Sequence, residues 1–189
     1  MNRVGKYGNV NIEDQEILKG CLKNDRLSQE LLYRKYARQM YHICLSYSGD
    51  KDEAKDILQE AFLKVFRNLD KFRDEGSMEG WIRRIVSNTS IDYYRSKRRT
   101  EFSLPIEEAW DLSAREGNEA EIKLGAEEVF GMIKQLPEGA RVIFNLYAVE
   151  GYSHKEIADK LEISESTSKS QYQRARSLLI EMISKREAS

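Results

Sequence analysis

Apolar residues recur at steps of three and four along most of this chain, and nowhere do they alternate in twos for long. A stripe of that period buries itself only when the backbone is helical, so the chain is confined to all-α folds. The pattern predicts a first helix over about 12–23. A second is expected from about Leu27 to Tyr47, with Leu31, Leu32, Tyr36, Met40, Ile43 and Tyr47 along its apolar stripe. Ser48-Gly49 ends it, and Asp50 is placed to cap the next helix, with Glu53 completing a capping box. The third helix is expected over 51–68, where Ala54, Ile57, Leu58, Ala61, Phe62, Val65 and Phe66 keep the same step. After a turn at Arg73–Ser77, in which Ser77 is a suitable N-cap, a fourth is expected over 78–98.

The period lapses from Thr100 to about Asn118. That stretch holds Pro105, Gly117 and many acidic side chains, the composition of a tether. Periodicity returns from Glu119, with Ile122, Ala126, Val129 and Ile133 on one helix. Pro137 then opens another, carrying Val142, Ile143, Leu146 and Tyr147, and Gly151 stops it. The expected architecture is two small helical domains, 10–99 and 119–186, joined by an acidic linker at 100–118.

Net charge is −1, so no global field draws the chain to nucleic acid. Its distribution says more. Residues 1–99 carry a net +5, residues 100–128 a net −7 and residues 129–189 a net +1. No apolar run approaches the roughly 20 residues of a membrane span, so direct membrane insertion is not expected. The first residues lack a signal peptide's apolar core. Cys21 and Cys44 have no metal-type spacing and read as ordinary cytosolic thiols. His42 is expected to pack inside its helix and His154 to be exposed. No arrangement supports catalysis, and no cofactor or metal is expected.

Three segments carry chemistry. Gly151 to Arg176 spells a helix, a three-residue turn and a second helix, the pattern of a helix-turn-helix. Ile157, Leu161 and Ile163 are its buried positions, Ala158 is small where helices meet, and Ser164 can cap the second helix. Tyr172, Ala175 and Leu179 should face the core. Lys169, Ser170, Gln173 and Arg174 fall opposite, where cations and amides can read base edges or hold phosphates. Ser168 and Gln171 are unexpected, standing where an apolar residue and a cation would suit. The same polar face would also serve simply as a solvated surface.

In the fourth helix Ile82, Ile85, Val86 and Thr89 form the core stripe. Asn88, Asp92, Arg95 and Arg99 share another face, which ends in the cationic run Lys97, Arg98 and Arg99. Trp81, Tyr93 and Tyr94 add aromatic surface, so the helix and the Arg73–Gly80 loop offer what an unstacked base requires. A packed core with a helix-dipole-complementing basic end accounts for the same residues. The third helix crowds Asp52, Glu53, Asp56, Gln59 and Glu60 beside Ile57, Leu58 and Phe62. That face suits a protein helix, and it is also what an ordinary amphipathic helix looks like.

Taken together, these segments resemble the sigma-70 family of bacterial RNA polymerase sigma factors, and in size and layout its extracytoplasmic-function (ECF) group. Asp52-Glu-Ala-Lys-Asp-Ile-Leu-Gln-Glu-Ala-Phe-Leu-Lys-Val-Phe66 is similar to the region 2 helix that grips the polymerase clamp. Gly80-Trp-Ile-Arg-Arg-Ile-Val-Ser-Asn-Thr-Ser-Ile-Asp-Tyr-Tyr-Arg95 is similar to the helix that captures the −10 promoter element. Leu136-Pro137 and 151–176 resemble region 4, which binds the −35 element. The resemblance implies a cytoplasmic, non-enzymatic factor that places core RNA polymerase at promoter DNA and helps melt it. Asp56, Gln59, Glu60 and Phe62 would meet the polymerase. Trp81, Asn88, Asp92, Arg95, Lys97, Arg98 and Arg99 would serve the −10 side, with the Arg73–Gly80 loop holding a flipped base. Lys169, Ser170, Gln173 and Arg174 would serve the −35 side. The acidic linker would thread a cationic polymerase channel, and an anti-sigma factor would hold the protein inactive. Two rivals stand beside this reading: a sigma-like decoy that binds an anti-sigma factor, and a conventional helix-turn-helix regulator.

Overall fold

The structure is a computed structural model and describes residues 12–73, 76–100 and 125–187. Among the described residues there are eight α-helices and no strand: α1 (Ile12–Leu22), α2 (Arg26–Ser48), α3 (Lys51–Arg67), α4 (Met78–Thr100), α5 (Ala126–Lys134), α6 (Glu138–Phe144), α7 (His154–Leu161) and α8 (Glu165–Glu187). A 3-10 turn at Leu69–Lys71 follows α3, and a π-helical turn at Asn145–Val149 continues α6. The expected all-α class is what is found, and the periodicity places the first four helices to within about two residues at each end. The expected linker at 100–118 lies, apart from Thr100, outside the described residues. So does Ile122, the first residue of the stripe expected to precede Ala126. No described helix is long and apolar enough to cross a membrane.

The chain divides into two units, one drawn from residues up to Leu45 and from Asp50–Asp92, the other from Ser46–Gly49 and from Tyr93 onward. In the first, the stripe of α3 is sealed: Ala54, Ala61 and Val65 are fully buried, with Ile57, Leu58 and Phe62 nearly so. Leu32, Met40 and Cys44 of α2 and Met78, Ile82 and Val86 of α4 are equally buried. Truncating a fully buried aliphatic such as Ile57 to alanine costs about 2–5 kcal/mol. Asp50 caps α3, accepting from the amides of Asp52 at 2.8 Å and Glu53 at 3.0 Å. Asp14 of α1 is a buried carboxylate whose charge is answered locally: Tyr36 donates its hydroxyl at 2.8 Å and Lys35 its ammonium at 2.9 Å. Burial and that bond push the Tyr36 phenol well above its ordinary range. The stripe predicted for α2 is trimmed at one edge, because Leu31 is 53% exposed while its neighbour Leu32 is fully buried. His42, expected to be packed, is exposed, its ring edge-on to Tyr41.

In the second unit, Ile133, Leu136, Ala140 and Ala175 form one apolar cluster, flanked by Val129, Phe144, Leu178 and Leu179. Arg141 is 7% exposed. Its guanidinium spends its donors on main-chain carbonyls: Leu136 at 2.7 Å, Ser48 at 2.6 Å and Tyr47 at 3.2 Å. Asn145 donates to the Ser46 carbonyl at 2.7 Å. Gly49 answers both the backbone and this packing. Its φ is +73°, and an added Cβ would come within 2.6 Å of the Arg141 guanidinium carbon.

Cys21 and Cys44 are buried, and burial pushes their thiols up to about 11 and about 12. A thiol so protected reacts only when the protein opens. We therefore expect neither to react with an aromatic disulfide reagent at pH 8 in native buffer. Both should react at the rate of unfolding when urea is added, as followed by absorbance against circular dichroism.

Candidate nucleic-acid interface

The helix-turn-helix is fixed at each joint. Ser153 and Glu156 form a capping box at the start of α7: the Glu156 carboxylate accepts from the Ser153 amide at 2.8 Å and Ser153 Oγ accepts from the Glu156 amide at 3.3 Å. The Ser153 hydroxyl, which donates to the same carboxylate at 2.7 Å, and then the Ser153 amide hold the Glu156 carboxyl below its usual range. Glu162 then takes a left-handed conformation, φ 55° and ψ 48°, which ends α7 and turns the chain. The Ile163 amide closes the turn onto the Ala158 carbonyl at 3.1 Å. Ser164 caps α8 as expected, its Oγ accepting from the Thr167 amide at 3.0 Å. Ile157 and Leu161 are buried and Ile163 is half-buried.

Along α8 the two faces separate as the spacing requires. Ala175 is fully buried, and Leu179 and Tyr172 are half-buried. Lys169, Ser170 and Gln173 are exposed, while Arg174 is half-buried. Lys169 pairs with Glu165 at 2.7 Å, and the lysine's hydrogen bond lowers the Glu165 carboxyl. Ser168 is completely buried, so its polarity belongs to the interior and not to the exposed polar face. His154, expected to be exposed, is half-buried. Its ring stacks on Tyr147 at 4.3 Å and 14°, and its Nδ1 lies 3.0 Å from Ser168 Oγ. Tyr147 fits the apolar stripe by its spacing, yet it is 38% exposed. The π-helical turn carries it out of the α-helical register.

On α4, Asn88 and Asp92 are exposed, and Asp92 lies 3.6 Å from Lys64 of α3. Trp81 is half-buried and meets Phe72 with ring centroids 5.5 Å apart. It lines a cavity of about 350 Å³ together with Lys71, Phe72, Arg73, Ser77 and Arg84. Sequence reasoning named the Arg73–Gly80 loop and Trp81 but missed Lys71 and Arg84. The signal for Arg84 was its place three residues after Trp81, on the same helix face. In the second unit Arg95, half-buried, and Arg99, exposed, both pair with Glu162, the latter at 2.7 Å. Lys97 is half-buried, 3.3 Å from Glu138, and Arg98 is exposed. Lys97 and Arg99 of the cationic run are thus answered by carboxylates within their own unit, while Arg98 donates to the Leu161 carbonyl at 3.5 Å.

On α3, Asp56, Gln59 and Glu60 are exposed, and Glu60 holds Lys64 at 2.9 Å. Phe62 is 2% exposed and packs edge-on against Tyr33 at 4.8 Å, so its ring is core and not surface. The apolar side chain presented beside these polar groups is Leu63, 55% exposed, which sequence reasoning passed over because it lies off the apolar stripe. Among the described residues, no group of His, Cys, Asp and Glu is clustered for a metal.

Two family models match, Sigma-70 region 2 over residues 32–100 and Sigma-70 region 4 over residues 126–179. The chain is 37% identical to RNA polymerase sigma factor SigZ of Bacillus subtilis, over 71% of this chain and 75% of that protein. It is 30% identical to the ECF RNA polymerase sigma-E factor of Escherichia coli, over 87% of this chain and 91% of that protein. It is 29% identical to the RNA polymerase sigma-H factor of Pseudomonas aeruginosa, over 87% and 90%. A helix-turn-helix behind a second helical unit, both matched in family order, defines a promoter-recognition protein. The chain belongs to the sigma-70 family, in its extracytoplasmic-function group, whose function is promoter-specific initiation of transcription by RNA polymerase.

The turn residue Glu162 generates a stability prediction. A left-handed conformation costs a side chain bearing Cβ about 1 kcal/mol relative to glycine. Exposed ion pairs return only about 0–1 kcal/mol. Both Glu162→Ala and Glu162→Gly lose the arginine pairs, but only the glycine relieves the backbone. Urea unfolding should therefore find Glu162→Gly more stable than Glu162→Ala by about 1 kcal/mol.

Proposed function

We propose that α8 reads the −35 element, that the exposed face of α4 and the neighbouring loop engage the −10 element, and that α3 docks on core RNA polymerase. The observation that carries the reading is the division of α8. Lys169, Ser170 and Gln173 are exposed on one side of a helix whose other side is closed by the fully buried Ala175. Lys169 and Arg174 supply charge for phosphates and guanine edges, and Gln173 the amide that suits adenine. Asn88 and Asp92 present hydrogen-bonding groups from α4. Trp81 and the cavity beside it supply an aromatic wall and cationic rim for an unstacked base. Arg95, Lys97, Arg98 and Arg99 are assigned to backbone phosphates, which would take over from the carboxylates that now pair with Arg95, Lys97 and Arg99.

Docking on polymerase is assigned to Asp56, Gln59 and Glu60, with Leu63 as apolar partner and Phe62 supporting the helix from beneath. The segments 10–99 and 119–186 are the working domains, and 100–118 is an acidic tether along a cationic channel of the polymerase. Two modest DNA-binding surfaces on one tether reinforce each other through effective concentration. The protein acts in the cytoplasm, catalyses no reaction itself, and is held in check by an anti-sigma factor.

Reconstitution with bacterial core RNA polymerase tests this on promoter fragments recovered by transcription of genomic DNA from the same host. Asn88→Ala should reduce open-complex formation about tenfold, with core binding within twofold of wild type. Equal loss of both would remove Asn88 from the −10 role. Reversing charge at Lys169 and Arg174 should abolish the advantage of an intact −35 block. It should also flatten the salt dependence of binding, by about one unit of log-log slope for each phosphate the protein no longer neutralises. An undiminished −35 preference would sink that assignment.

A further inference from the structure

Ser168 is a hydroxyl with no exposure at all, on the helix that carries the DNA-facing side chains. A buried hydroxyl is retained at a cost unless it is hydrogen-bonded. Its side-chain partner is Nδ1 of His154, 3.0 Å away, at the first position of α7. The same imidazole stacks on Tyr147 of the π-helical turn, and its ring lies edge-on to Tyr172 of α8 at 5.7 Å. Tyr147 and Tyr172 are themselves 4.5 Å apart. His154 therefore touches α8 twice, once through a polar atom and once through its ring edge, from a helix whose own start is locked by the Ser153–Glu156 capping box.

We propose that His154 is a positioning residue for −35 recognition, fixing the roll of α8 through Ser168 so that Lys169 and Ser170 face DNA. The proposal rests on the reading that α8 binds the −35 element. Lys169 and Ser170 directly follow the serine that is held, so any rotation about the helix axis that loosens Ser168 carries them with it. A roll of about 20° displaces a side-chain tip about 5–6 Å from the axis by about 2 Å, more than a direct hydrogen bond to a base edge tolerates. The neutral imidazole is the form that suits this task, with Nδ1 accepting the Ser168 hydroxyl proton and the other ring nitrogen protonated. The charged groups near the ring are Lys169 and Glu165 of α8 and Lys155 and Glu156 of its own helix. Burial first, then the Lys169 charge, holds the imidazole below its ordinary range, which keeps it neutral at physiological pH.

The test is run on full-length protein in holoenzyme, with a promoter recovered as above and the same promoter with its −35 block replaced. The quantity measured is the ratio of transcription from the two. His154→Phe keeps an aromatic stack and loses the bond, and Ser168→Ala loses the bond from the other side. His154→Asn keeps a polar atom near the place of Nδ1. We expect His154→Phe and Ser168→Ala each to lower the ratio about tenfold, and the double variant to lower it no further. His154→Asn should retain at least half of the wild-type ratio, while core binding stays within twofold throughout. A ratio within twofold of wild type for His154→Phe, or losses that multiply in the double variant, overturns the proposal. If His154→Phe does not fold at the assay temperature, as judged by thermal unfolding, Ser168→Ala decides alone by the same twofold limit. Lys169→Ala and Arg174→Ala run alongside. If they too leave the ratio unmoved, the −35 assignment of α8 fails. If they lower it while the His154 and Ser168 variants do not, only the positioning role fails.

Discussion

The close approach of α6 and α8 at Ala140 and Ala175 sets the terms for the helix-turn-helix unit. Both alanines are fully buried in one cluster, and a larger side chain at either would push the helices apart. Once that seam is closed, the azimuth of α8 is decided. Residues on the far side are left to water, and Lys169, Ser170 and Gln173 are among them. The turn at Glu162 and the Ser164 cap then set where the helix begins. The direction of this polar face follows from what the interior excludes, because a helix can offer such a face in a defined direction only if its opposite face has nowhere else to go.

Much of this was readable from the sequence, for a physical reason. Helix existence and ends depend on local chemistry: a period of about 3.6, Asp50 and Ser164 as caps, glycine at position 49 where the backbone turns left-handed. What could not be read depends on partners distant in the chain. Leu31 and Leu32 both fit an apolar stripe, and only packing decides that the second is buried and the first exposed. His154 becomes half-buried because Tyr147 and Tyr172 close around it, and Tyr147 reaches it only through a π-helical turn that no pattern announced. Arg141 had no sequence sign of burial, since its acceptors at Tyr47 and Ser48 lie on the order of a hundred residues away.

Electrostatics reconcile a near-neutral chain with a nucleic-acid role. Within the second unit, four of the basic side chains assigned to DNA have carboxylate partners: Lys169 has Glu165, Lys97 has Glu138, and Arg95 and Arg99 share Glu162. Glu162 is half exposed, and pairs in such surroundings are worth about 0–1 kcal/mol, so a phosphate displaces them readily. The arrangement keeps cations oriented without presenting a broad positive field. With these side chains on DNA as proposed, non-specific attachment to the excess of genomic DNA would be weakened, and the weight of promoter choice would shift to geometry and to the polymerase.

The π-helical turn at Asn145–Val149 has a further bearing, on how the chain accommodates length. Its backbone closes from the Glu150 amide to the Asn145 carbonyl, spanning five residues where an α-helix spans four. One residue is thereby stored between the sealed face of α6 and the capped start of α7 without breaking the helix. A stored residue is a place where an insertion or deletion is absorbed, while a similar change inside α8 would rotate every side chain beyond it by about 100°. The unit concentrates its tolerance for altered length at a site before the turn and leaves the helix assigned to DNA with none.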